Sequence, residues 1–191
     1  IAYFEDQNAR GWPNARYVGE LYFQAHRGVL TSQAKTKQGN RKSEFGLRRA
    51  EMWGAIARTL TAYDFPYETA REAWTEVLLN QFHDILPGSS IARVYEEAEA
   101  AYAKVVAAAD TMAQEAASVL TTETEGVTVF NDLSWDRSAL VALPETFEGA
   151  ADDQGQPLPT QTVEGATFTE VTVPSCGWTS VQPGEPADVT N

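Results

Sequence analysis

The sequence predicts an α+β chain: a three-helix bundle followed by a partial antiparallel β-sandwich. Three observations carry that expectation. Apolar residues recur at mostly helical spacing from Ser43 to about residue 82, a seven-residue apolar repeat runs from Ile91 to Val119, and the composition switches to short β-branched runs after about residue 122. The divisions expected are therefore 1–42 as a connector, 43–122 as the bundle and 123–191 as the start of a sandwich.

Residues 1–40 hold no clean period: Trp12-Pro13-Asn14 and several glycines interrupt them, and they read as irregular. The first bundle helix is expected from Ser43, with Phe45, Ala50, Met52, Trp53, Ile56, Leu60 and Tyr63 on its apolar side. Asp64-Phe65-Pro66 ends it and starts the next, because proline is tolerated in a first helical turn. That second helix carries Ala70, Trp74, Val77, Leu78 and Phe82, and Pro87-Gly88 stops it. Ser89 or Ser90 can cap a third. In it Ile91, Ala98, Val105, Met112 and Val119 interleave with Tyr95, Tyr102, Ala109 and Ala116, a seam suited to packing between helices. Trp53, Trp74, Tyr95 and Tyr102 follow the apolar stripe and read as core rather than as stacking platforms for a sugar.

Strands are expected at 127–130, 139–143, 168–173 and 178–181, with Asp152-Asp153-Gln154-Gly155 as a turn. A sandwich commonly needs about 100 residues, so this part reads as incomplete.

With 191 residues and 43% hydrophobic content the chain can bury a real core. A formal net charge of −13 argues against nucleic acid and against anionic membrane surfaces as partners. No apolar run approaches a membrane span of about 20 residues. Cys176 is the single cysteine, which rules out an intrachain disulfide and favours a reducing, cytoplasmic compartment. It stands in Val-Pro-Ser-Cys-Gly-Trp without a neighbouring histidine and reads as structural or incidental.

The candidate site is His83-Asp84, at the end of an apolar helix and before a Pro-Gly turn. Two readings stand side by side. The pair can cap carbonyls and hold the turn, or His83 can be a zinc ligand with Asp84 as an adjacent substrate-binding carboxylate. Spacing alone offers little for a metal: there is no HExxH, no paired cysteines, and no second histidine at helical spacing. His26-Arg27, with Glu20 and Gln24 nearby, reads as a salt-bridged connector or as the lining of a sugar or anion pocket.

The segment Asn80-Gln81-Phe82-His83-Asp84-Ile85-Leu86-Pro87-Gly88-Ser89-Ser90-Ile91, followed by Val94-Tyr95, resembles the signature of glycoside hydrolase family 38, the zinc-dependent α-mannosidases. Gly19-Glu20-Leu21-Tyr22, His26-Arg27-Gly28, Thr31-Ser32 and Asn40-Arg41 resemble that family's entry into its helical domain, which implies that residues 1–42 hold the end of its catalytic domain. Val129 to Arg137 is similar to its entry into the β-sandwich. The resemblance implies retaining hydrolysis of α-mannosides by two carboxyl groups. It also implies a zinc ion, with His83 as one ligand and Asp84 as a contact to sugar hydroxyls. The family's nucleophile, its acid/base and its other zinc ligands lie in an N-terminal catalytic domain whose motifs do not occur here. The expected partners are thus a mannoside and that missing domain, with the isolated chain inactive and able to dimerise through its bundle. The alternative is a non-catalytic module for carbohydrate binding or interdomain contact.

Overall fold

The computed structural model describes residues 2–11, 17–19, 27–121 and 126–187. Four helices, α1 (Ala2–Arg10), α2 (Ala34–Leu60), α3 (Tyr67–Asn80) and α4 (Ala92–Ser118), precede seven strands in the described chain. The α+β class is as the sequence predicts. Helix α1 buries no residue, whereas α2, α3 and α4 share one core of Leu47, Ala50, Phe65, Ala70, Ala73, Val77, Ala98, Tyr102, Val105, Ala109, Met112 and Ala113.

Two expectations for the first forty residues are corrected. Residues 2–10 are helical, and α2 begins at Ala34 rather than near Ser43. Helix α2 buries Thr36, Asn40, Ser43, Leu47, Ala50, Gly54 and Ala57, which alternate at spacings of four and three along one seam. The first three are polar, so the seam is invisible to a search for apolar periodicity. Phe45 and Leu60, expected on the apolar side, are exposed. Phe45 lies under the Arg41 guanidinium, 4.7 Å from the ring centre, on the outside of the helix.

Small seam residues bring the backbones close. Gly39 faces Tyr102 and Gly46 faces Ala109, so contacts rise together along both chains and α2 runs parallel to α4. Helix α3 returns between them. Its buried residues are Ala70, Ala73, Val77 and Asn80, while Leu78 and Phe82, expected inside, are exposed. The helix ends at Asn80, so Phe82 lies in the turn that follows and Leu78 falls off the buried stripe. In α4 the repeat holds through Ala98, Val105 and Met112, with Tyr95, Tyr102, Ala109 and Ala116 also buried. Its two ends, Ile91 and Val119, lie outside the helix and are exposed.

The strands are β1 (Val127–Asn131), β2 (Arg137–Ala142), β3 (Gly149–Ala151), β4 (Pro157–Leu158), β5 (Thr160–Val163), β6 (Ala166–Val173) and β7 (Gly177–Gly184). They form two antiparallel sheets, ordered β1-β7-β3-β4 and β2-β6-β5. Leu143, Phe147, Ala150, Val171, Val173 and Val181 make their shared core. The predicted turn forms: Asp152 Oδ1 accepts the Gln154 and Gln156 amides at 2.9 and 2.8 Å, and Gly155 has a φ of 78°.

Asn131 ties the β1–β2 corner together. Its buried amide donates to the carbonyls of Trp135 (2.8 Å), Pro174 (3.0 Å) and Val173 (3.3 Å), and its Oδ1 accepts the Leu133 amide at 3.1 Å. Helices and sheets also meet directly. Trp53 of α2 packs edge-on against Phe130 and Trp178, at ring-centre distances of 5.0 and 6.2 Å.

Candidate functional site

Because α3 runs back against α2 and α4, the turn that follows it, residues 81–88, returns to the end of the molecule where α2 and α4 both begin. His83 and Asp84 sit in this turn. The carbonyl of Phe82 closes it by accepting the amides of Ile85 (2.9 Å) and Leu86 (3.1 Å), and Gly88 N–H donates to Ile85 O at 3.1 Å. These bonds close the short backbone arc that carries both side chains.

Both are open to solvent. The side-chain exposures are 76% for His83 and 54% for Asp84, and Nε2 lies 3.4 Å from Oδ2. The Phe82 ring leans on the imidazole, with centroids 4.2 Å apart at a tilt of 43°. Asp84 Oδ1 accepts the Ser89 hydroxyl at 3.0 Å, and Asp84 O accepts the Ser90 hydroxyl at 2.6 Å. These serines serve the loop. Neither caps α4 with its side chain, as the sequence suggests; the N-cap position is Ile91, and the Ser90 amide donates to the Tyr95 hydroxyl.

The turn is braced from one face of α2. At its start, Gln81 Nε2 donates to Asn40 Oδ1 and Glu44 Oε1, both at 2.9 Å, and Asn40 Nδ2 donates to Glu44 Oε1 at 3.1 Å. At its end, Lys37 Nζ donates to Leu86 O at 2.9 Å, to Pro87 O at 3.4 Å, and to Ser32 O. Burial pushes the Lys37 ammonium below its ordinary pKa. Beneath, the buried Tyr102 hydroxyl lies 3.4 Å from Asn40 Oδ1. Burial first, then the negative charges of Glu44 and Glu76, push its pKa up to about 12.

Sequence reasoning singled out His83 and Asp84 but missed the brace. Lys37, Asn40 and Glu44 share helical spacing of three and four, a signal that needed the helix to begin before Ser43. His26, Glu20 and Gln24 lie outside the described residues. Among the described residues no three His, Cys, Asp or Glu side chains gather as a metal cluster. Trp53, Tyr95 and Tyr102 are buried as core, and Trp74 is half-buried with its indole N–H on Glu51 Oε1 at 2.8 Å. Cys176 is exposed and its backbone amide donates to Leu133 O at 2.8 Å.

Comparison with known proteins places this geometry. The family model of the alpha mannosidase middle domain matches residues 24–120, which include α2, α3, the His83-Asp84 turn and α4. Human alpha-mannosidase 2C1 is 33% identical over 171 residues, covering 87% of this chain and 15% of the human protein. Alpha-mannosidase G of Dictyostelium discoideum is 49% identical over 82 residues, 43% of this chain and 8% of that protein. The chain thus spans a small part of the length of these relatives. A crystal structure of a glycosyl hydrolase family 38 protein from Enterococcus faecalis superposes with a TM-score of 0.72 at 18% identity, covering 100% of this chain and 28% of that one. The chain therefore shares its fold with a glycosyl hydrolase family 38 protein, and it belongs to the alpha-mannosidases, as a segment containing their middle domain.

Proposed function

We propose that this chain is part of a zinc-dependent retaining α-mannosidase, to which it supplies one zinc ligand, His83, and one sugar-contacting carboxylate, Asp84. The observation that carries the proposal is the turn at residues 81–88. Within the middle-domain match it presents an imidazole and a carboxylate to solvent on a backbone arc held from both ends by α2.

The donor set fits the part of a single ligand. Zinc takes three or four N, O or S donors. Here one exposed imidazole is available at the turn, without a cluster of three among the described residues. The remaining donors would come from the catalytic domain of the complete enzyme, as would the nucleophile and the acid/base. When bound, zinc supplies a Lewis-acidic charge for polarising sugar oxygens. His83 would hold it through a ring nitrogen, and the nearby Asp84 carboxylate favours orientation of that ring.

Asp84 has acceptor capacity to spare. An ionised carboxylate offers about four lone-pair sites. The Ser89 hydroxyl uses one on Oδ1, which leaves room for sugar hydroxyls to donate to the exposed side. The reaction would follow the two-carboxylate logic of retaining glycosidases, through an oxocarbenium-like transition state. Neither carboxyl is assigned to this chain, so the isolated chain is expected to be inactive.

The test uses the complete enzyme, zinc and a chromogenic α-mannoside. His83→Ala is expected to lower zinc affinity and turnover by at least tenfold. Asp84→Asn is expected to raise KM and lower kcat while zinc stays bound. Unchanged zinc affinity in His83→Ala would remove the ligand role.

A further inference from the structure

We infer that Lys37 is a positioning residue for the His83-Asp84 turn, acting through main-chain carbonyls and touching neither side chain. The inference rests on the reading of that turn as a zinc and sugar site. An ammonium carries three N–H donors and no acceptor. Those of Lys37 have three carbonyls within reach, Leu86 O and Pro87 O at 2.9 and 3.4 Å on the turn, and Ser32 O just before α2. The lysine therefore joins two backbone segments far apart in sequence.

Two features make this junction more than a surface contact. Carbonyls beyond the end of a helix have no intrahelical donor, so a cation there meets acceptors that otherwise need water. The backbones are also close: a Cβ on Gly88, whose φ is 96°, would lie 2.7 Å from Ser32 Cβ. Only glycine allows that approach without strain. With Gln81 bound to Asn40 and Glu44 at the other end, the arc bearing His83 and Asp84 is pinned at 81 and at 86–87 by one helix face. An arc fixed at both ends carries its side chains in a defined direction. Releasing one end lets it swing.

Outer residues that orient a metal ligand typically change metal affinity or activity 10–100-fold when removed. In the complete enzyme, Lys37→Met keeps the aliphatic stem and deletes the donors. It is expected to weaken zinc binding 10–100-fold by chelator competition and to speed amide exchange at Ile85, Leu86 and Gly88 at least tenfold. Lys37→Arg, which restores a cation with several donors, is expected to recover most of both losses. A purely structural role would instead raise exchange throughout α2 and α3 and would not track zinc affinity. Zinc affinity within twofold of wild type in Lys37→Met, where His83→Ala loses it, would overturn the inference alone. Zinc affinity unchanged in His83→Ala would overturn the functional reading and the inference with it. Should Lys37→Met unfold, Lys37→Gln, with a single amide donor group, is judged by the same two readouts and limits.

Discussion

Replacing Gly39 by alanine tests whether α2 and α4 pack as closely as the structure has them. An alanine in a helix interior is ordinarily favoured over glycine by about 1 kcal/mol. Here the added Cβ would lie 2.8 Å from Tyr102 Cβ and 2.9 Å from its Cγ and Cδ2. Tyr102 cannot swing clear, because Cβ is attached to the α4 backbone and the ring is buried at 1% exposure. The helices must separate locally, and overpacking of this kind costs typically about 1–3 kcal/mol. The balance is a net loss of up to about 2 kcal/mol. For a chain of this size a loss of about 2 kcal/mol lowers Tm by roughly 4–8 °C. One heptad on, Gly46 provides the comparison, since its Cβ would stand 3.1 Å from Ala109 Cβ and a shift of a few tenths of an ångström relieves it. Thermal melts of both variants, followed by circular dichroism, should rank wild type and Gly46→Ala above Gly39→Ala. A Gly39→Ala chain as stable as wild type would mean that the α2–α4 seam is looser than described.

Two further outcomes follow from buried polar groups. Tyr102, with its pKa near 12 in the fold against about 10 when unfolded, holds its proton more tightly in the folded state, so its contribution is intact below pH 10 and is lost between pH 10 and 12. Urea melts should show a fall of about 2–3 kcal/mol across that window, flattened in Tyr102→Phe; an unaltered pH slope in that variant would place the effect elsewhere. Asn131→Ala removes two N–H donors that three carbonyls share and an acceptor for the Leu133 amide, and should cost about 2–3 kcal/mol in the same melts, with Asn131→Asp no better because a carboxylate cannot donate to those carbonyls. Stability of Asn131→Ala within 0.5 kcal/mol of wild type (roughly the spread of surface substitutions) would show that the corner does not depend on it.

What was legible in the sequence depended on how much of each element's chemistry is apolar. Helix α4 could be read because Tyr95, Ala98, Tyr102, Val105, Ala109, Met112 and Ala116 repeat as a hydrophobic seam and are buried as one. Helix α2 could be read only over its second half, because its first three seam positions are Thr36, Asn40 and Ser43. Pattern misled where a large apolar side chain lies outside: Phe45 is covered by Arg41, and Leu78 falls off the stripe of small residues that α3 buries. The long strands β6 and β7 carried β-branched and aromatic runs, while Gly149–Ala151 and Pro157–Leu158 are too short and too poor in such residues to register. At the candidate site His83 and Asp84 were visible as residue types. Their bracing by Lys37, Asn40 and Glu44 was not, since it depends on the return of α3 to the start of α2.

The edge-on contact of Trp53 with Phe130 and Trp178 has a consequence for how the chain comes apart. Helix α4 ends at Ser118 and β1 begins at Val127, yet the indole of α2 is covered by side chains from β1 and β7 on the far side of that join. Melting the sheets would uncover a tryptophan that is 2% exposed in the fold. A helical piece cut free there would carry a wet aromatic face and a tendency to self-associate. Helices and sheets thereby share a cluster of three rings, two of which leave with the sheets.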